Sequence, residues 1–90
     1  MSISKREIIE QIPINYFCYS IKSINNKGLL LVGGKDQNND IFNIYVYRSD
    51  NYELIQTIEN AHKYYTRGFL EINNHLIYSY SYDGIKNWLF

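Results

Sequence analysis

The stretch Tyr52 to Phe90, "YELIQTIENAHKYYTRGFLEINNHLIYSYSYDGIKNWLF", decides the fold. It reads as four short runs separated by turn residues. "YELIQTI" and "YYTRGFLEI" come first, "LIYSYS" follows the turn "NNH", and "IKNWLF" follows the turn "YDG". Apolar and polar residues alternate within these runs, as they do in half-buried strands. Asn73-Asn74 and Asp83-Gly84 tolerate the positive φ angles that tight hairpin turns need.

The same unit occurs earlier in the chain. "REIIEQIP" (Arg6 to Pro13) lies over "YELIQTIE" (Tyr52 to Glu59), with Glu7 on Glu53, Ile8 on Leu54, Ile9 on Ile55 and Ile12 on Ile58, an offset of 46. Ile24-Asn25-Asn26 falls on Ile72-Asn73-Asn74 at an offset of 48, and Leu29-Leu30 on Leu76-Ile77 and Asp36 on Asp83 at 47. Small slips in offset belong in loops. The period is close to the roughly 40–45 residues of a four-stranded propeller blade. The first repeat spans residues 5–47 and the second 52–90.

The first copy thus reads "REIIEQI", "YFCYSIKSI" closed by the turn "NNKG", "GLLLVGG" and "IFNIYVY". "LLLV" does not alternate, which suits a strand covered on both faces. Residues 4–12 carry two readings. Ser4 with Glu7 fits a capping box, and Ile8, Ile9 and Ile12 fit a helical stripe. The match to Tyr52–Glu59 favours a strand, and Pro13 ends either element.

Ninety residues make one domain or a piece of one. Hydrophobic content of 46% with 20% charged residues describes a globular chain. Ten tyrosines and four phenylalanines favour sheets, where flat rings pack on a pleated surface. The formal net charge is zero and no lysine/arginine face stands out, so no nucleic-acid partner is expected. No membrane association is expected either: the longest apolar run, Leu29 to Val32, is far short of the ~20 residues of a spanning helix. "MSISKREIIEQ" carries charge where a signal peptide needs an apolar run. Cys18 stands alone and makes no internal disulfide. An intracellular location, cytoplasmic or nuclear, follows as the expectation.

The stretch Asn43 to Trp88 resembles the WD-repeat (WD40-like) β-propeller family. That repeat carries a Gly-His pair before its first strand and a Trp-Asp pair after its third. Ala61-His62 stands at the first place here and Trp88-Leu89 at the second. Alanine replaces the glycine and Leu89 the aspartate. In the first copy Tyr47 takes the tryptophan place, and no histidine precedes Tyr16. The resemblance implies a buried structural hydrogen-bond network of Trp88, Ser81, His62 and Asp83. The chemistry is coherent, because indole only donates while hydroxyl and neutral imidazole both donate and accept.

The fold expected is all-β, with two antiparallel four-stranded propeller-type blades that do not close a ring. The outer strands can be placed in two ways. Arg6–Ile12 lies beside Ile41–Tyr47 and Tyr52–Ile58 beside Ile85–Phe90, or each outer strand lies on the neighbouring blade, as the family has it. Propellers use about 4–8 blades, so two blades imply a fragment, a truncated product or one protomer of a multi-chain ring.

Other chemistries fit less well. Ser81, His62 and Asp83 would supply a hydrolase triad, but no G-x-S-x-G elbow is present. Cys18, mid-strand among aromatics, reads as a small buried hydrophobe. "DQNND" (Asp36 to Asp40) resembles half a calcium loop, yet Ile41 stands where glycine is needed and Tyr47 where a bidentate glutamate belongs. His75 reads as an exposed turn residue with no zinc-ligand neighbour in sequence. Lys63, Tyr64, Tyr65 and Arg67 read as strand packing rather than an RNA-binding patch. No catalytic residue, metal or cofactor is therefore expected, and the chain is not expected to be an enzyme.

The expected function, implied by the resemblance, is a non-catalytic protein–protein interaction or scaffold module. Its partners are other proteins or further propeller blades. The family binds through loops at the blade ends, which here gives Lys35, Asp36, Asp40, Arg48, Tyr52, Tyr64 and Arg67 as candidate contacts. The alternative is a structural β-protein whose open edges and apolar faces drive homo-oligomerisation.

Overall fold

A computed structural model describes residues 11–73 and 76–90. The expected opening element at residues 4–12 lies outside them apart from 11 and 12, which are in no strand, and His75 lies outside them entirely.

The described residues form seven strands and one short 3-10 turn. β1 (Tyr16–Ile24), β2 (Leu29–Asp36), β3 (Phe42–Arg48) and β4 (Leu54–His62) make a four-stranded antiparallel sheet in that order. β5 (Gly68–Glu71), β6 (Leu76–Ser81) and β7 (Gly84–Leu89) make a three-stranded antiparallel sheet. The fold is all-β with two open sheets. The expected pair of four-stranded sheets is therefore corrected, among the described residues, to one of four and one of three; of the two expected placements, β4 beside β3 is the one that puts an outer strand on the neighbouring sheet.

The reason is local. A short turn joins β3 to β4, closed by the Arg48 N–H bond to the Glu53 carbonyl at 2.8 Å, with Tyr52 at a φ of 58°. A short loop is cheap to close, so β4 folds back onto β3 instead of reaching β7. β4 begins at Leu54, two residues later than expected, and runs on to His62. Near its end two extra residues bulge out opposite Asn43. Asn60 takes a φ of 53° there, and its N–H is accepted by the Asn43 side-chain carbonyl at 2.9 Å.

Two turns differ in detail from expectation. After β1 the chain makes the turn Asn25–Lys27, and Gly28, not an asparagine, takes the positive φ of 62°. Between β6 and β7 the turn residues are Tyr82 and Asp83, while Gly84 opens β7 at a φ of 125°.

The two sheets pack face against face. Ile24, Leu31, Ile44 and Val46 from the first sheet are buried with Ala61 and with Ile77 of the second, and Phe69, Trp88 and Phe90 close over them. Each such apolar side chain stabilises by about 1.5–3 kcal/mol when fully buried. Gly33 makes the seam between the sheets possible. A Cβ there would stand 2.5 Å from Ser20 Oγ and 2.8 Å from Thr66 Cβ. A second cluster, Tyr16, Val32 and Tyr47, lies on the opposite face of the first sheet.

Two further expectations are corrected. Cys18 is exposed, not buried. It lies on that opposite face next to the irregularity at Tyr19, where no second layer of described residues covers it. Lys63 to Arg67 form a connection and not a strand. Side chains replace a strand partner: Asp83 Oδ2 accepts from Lys63 N–H, Ser81 Oγ donates to the Tyr65 carbonyl, and Ser20 Oγ donates to the Thr66 carbonyl.

Candidate functional site

The connection from β4 to β5 carries the most organised polar chemistry among the described residues. His62 ends β4 in the first sheet, and its imidazole is buried against the second. Nε2 lies 2.6 Å from Ser79 Oγ and Nδ1 lies 2.7 Å from Asp83 Oδ1. Trp88 Nε1 lies 2.8 Å from the same Ser79 oxygen.

Donor rules fix the direction of the chain. Indole N–H can only donate, so Ser79 Oγ accepts from Trp88. The buried Ser79 hydroxyl has no other acceptor among the described residues, so its proton goes to His62 Nε2, which is then unprotonated. Nδ1–H therefore donates to Asp83, and the imidazole is neutral. Asp83 Oδ2 accepts from the Lys63 N–H at 2.8 Å. Every member is satisfied, which is the condition for a buried network to stabilise. Burial pushes the Asp83 carboxyl up, but the Lys63 amide, then His62, and the charge of Lys86 pull it down; the balance lies below the ordinary carboxylate range.

The structure brings together His62, Asp83 and Trp88 from the expected network, with Ser79 where Ser81 was expected. Ser81 Oγ donates instead to the Tyr65 carbonyl at 2.9 Å. The register explains this. The hairpin places Trp88 opposite Ile77, beside Ser79 and well along the strand from Ser81.

Ser79, His62 and Asp83 match a hydrolytic triad in their distances. The environment differs. Ser79 is fully buried, and its oxygen lies between an indole donor and the imidazole. A nucleophile needs open space in front of its oxygen and donors for the developing oxyanion.

The first repeat answers the same positions with other chemistry. Matching ladder rungs carry Val32 onto Ser79 and Tyr47 onto Trp88, and Tyr16 pairs with Asp36, the counterpart of Asp83. Tyr16 and Tyr47 share a direct hydroxyl–hydroxyl hydrogen bond of 2.5 Å, and Val32 packs beside them. Tyr16 stacks flat on Tyr45 with ring centroids 3.8 Å apart, and its ring lies over Gly34. Burial, followed by the Tyr47 hydroxyl, holds the Tyr16 phenol above the ordinary tyrosine range.

Exposed aromatic residues gather where the β4–β5 connection, the β6–β7 turn and the start of β1 meet. Tyr64 and Tyr65 each meet Tyr82 edge to face, Tyr65 stacks on Tyr19 at 5.0 Å, and the Arg67 guanidinium lies 5.1 Å from the Tyr82 ring centre. Lys35 lies 5.6 Å from the Phe17 ring centre and 3.6 Å from the Asp40 carboxylate.

The seven candidate contacts therefore divide. Lys35, Asp36, Asp40, Tyr64 and Arg67 lie at this end of the strands. Arg48 and Tyr52 lie in the β3–β4 turn at the opposite end, where Arg48 is tied to Asp50 through two 3.3 Å bonds. The Asp36–Asp40 loop closes on itself, with Asp36 Oδ1 accepting the Asn38 N–H at 2.8 Å. Tyr19, Tyr82 and Phe17 belong to the surface and were not foreseen. Among the described residues no three histidine, cysteine, aspartate or glutamate side chains group as metal ligands, and no helix is long and apolar enough to cross a membrane. Compared with family models, curated proteins and solved structures, the chain matches none.

Proposed function

We propose that this chain is a non-catalytic protein-binding module of WD-repeat type, and that it binds through the strand end carrying Phe17, Tyr19, Tyr64, Tyr82 and Arg67. One observation carries this reading. The polar network is closed and inward, while exposed rings and a cation gather beside it. Phe17, Tyr19, Tyr64 and Tyr82 are each at least 49% exposed. Aromatic and arginine side chains are the groups that anchor protein interfaces, because they offer large rigid contact area with polar tips. The network's role is to hold the β4–β5 connection so that these rings are presented in a fixed arrangement.

Its resemblance to the WD-repeat pattern supports the reading, as does the chain of donors from Trp88 through Ser79 and His62 to Asp83. Peptide-display selection tests it. A random library panned on the native chain is expected to yield sequences whose binding is lost on Tyr64→Ala and Tyr82→Ala and kept on Tyr52→Ala at the far end. No enrichment, or enrichment indifferent to both ring substitutions, would reject it.

A further inference from the structure

The internal repeat turns the contact between the two sheets into a template for a second contact. Ladder rungs relate the two units residue by residue. Ile21 opposite Val32 corresponds to Phe69 opposite Ser79, and Leu30 opposite Tyr47 corresponds to Ile77 opposite Trp88. Phe69, Ile77 and Trp88 are the side chains that the second sheet presses onto the first. Their counterparts Ile21, Leu30 and Tyr47 face the far side of the first sheet, where they line an open apolar groove.

The receiving surface is duplicated as well. Ile24, Leu31 and Ile44 receive the second sheet. Their counterparts by rung are Ile72, Tyr78 and Ile85, on the far side of the second sheet, while the buried Val46 beside them has Asn87 as its counterpart. That side is mostly apolar, Asn87 apart, and no described residue covers it, with Leu70, Tyr80 and Leu89 also exposed. Lys22, two residues before Ile24 in β1, has Leu70 as its counterpart. Both outer faces thus carry mostly apolar residues at the positions that make the internal interface, one at those of its donor half and one at those of its receiver half.

We propose that a second copy of this chain docks there. The outer face of the three-stranded sheet in one copy packs on the outer face of the four-stranded sheet in the next, repeating the internal contact. The two surfaces differ, so the contact is head-to-tail. Such a contact generates a ring where the rotation closes and an open chain where it does not. Exposed apolar patches beyond a few hundred Å² are rare in monomers, which is why both faces call for an occupant. This inference does not depend on the binding surface at the strand ends.

Light scattering on the chromatographed native chain, over a range of concentrations, tests it. The expected mass is a multiple of the monomer mass. Ile21→Asp removes the groove side and Ile85→Asp the other side. Both side chains are more than 60% exposed, so neither change enters the core. Each variant alone is expected to be a folded monomer by circular dichroism. Mixed in equal amounts, they are expected to form a capped dimer of twice the monomer mass, because each retains the half that the other has lost. A monomeric native chain would overturn the proposal. So would assembly untouched by either substitution, or a mixture that stays monomeric.

Discussion

Tyr16 and His62 are related by the offset of 46 that carries Ile12 onto Ile58, and each is tied to the aromatic residue of its unit's third strand. Tyr16 reaches Tyr47 directly at 2.5 Å, while His62 reaches Trp88 through Ser79, with bonds of 2.6 and 2.8 Å. In the first unit two phenols meet beside Val32. In the second, the smaller imidazole needs a hydroxyl between it and the indole, and serine stands at the valine position. One repeat thus keeps a geometric link while changing every group that makes it.

Ser79 and Ser81 separate the two assignments of the serine. Ser79→Ala leaves the partly buried Trp88 N–H without an acceptor and His62 Nε2 without a donor. A loss of about 2–6 kcal/mol is expected, at about 1–3 kcal/mol for each of the two stranded groups. Ser81→Ala loses one bond to the Tyr65 carbonyl and is expected to cost about 1 kcal/mol. Urea unfolding followed by tryptophan fluorescence measures both. Equal losses, or a larger loss for Ser81, would return the network to the wrong serine.

His62→Ala and Trp88→Ala are each expected to cost about 2–4 kcal/mol, from the cavity left and the polar groups stranded. Because both act through Ser79, the double variant should lose clearly less than the two single losses combined. Unfolding curves for the three variants complete the cycle. Simple additivity would show that the two side chains do not belong to one network.

Asp83 makes stability depend on acid pH. Its carboxyl is held below the ordinary range in the folded chain. A depressed folded value contributes stability that is fully present above the unfolded pKa, about 4. That contribution is lost as the pH falls below this value and through the lower folded one. The stability difference between the native chain and Asp83→Asn should therefore be constant near neutrality and shrink on acidification below about pH 4. A difference independent of pH across this range would contradict it.

Gly33→Ala tests the seam between the sheets. The added methyl would meet Ser20 Oγ at 2.5 Å and Thr66 Cβ at 2.8 Å. Thr66 is buried and its carbonyl already accepts from Ser20, so neither neighbour yields freely. Overpacking of this kind typically costs about 1–3 kcal/mol. Thermal melting reads the change, and an unaltered midpoint would mean that the seam is looser than drawn.

Much of the fold is legible in the sequence because strand alternation and turn chemistry are local. The runs at Tyr16, Leu29 and Phe42 each become a strand, and the Tyr82–Gly84 segment turns the last hairpin. Ser79 and Ser81 are harder, since residues two apart point to the same face of a strand and alternation cannot choose between them. Counting rungs from the two-residue turn would have done so, as it sets Trp88 opposite Ile77. The Lys63–Arg67 segment has strand-forming residues, but serine and aspartate side chains from elsewhere bond its backbone at Lys63, Tyr65 and Thr66, and only Arg67 bonds to a strand's backbone, through the Tyr80 carbonyl. Cys18 depends on what covers one face of one sheet, and nothing within its own stretch of sequence carries that information.

The sheet boundary and the repeat boundary do not coincide. Residues of the second repeat supply β4, the outer strand of the first sheet, before the chain crosses to build its own. Neither half can be excised cleanly: a cut at the repeat junction strips the first sheet of its margin, and a cut after β4 separates His62 from Ser79 and Asp83. The two halves are laced together by the chain itself, so they should melt as one cooperative body rather than as two.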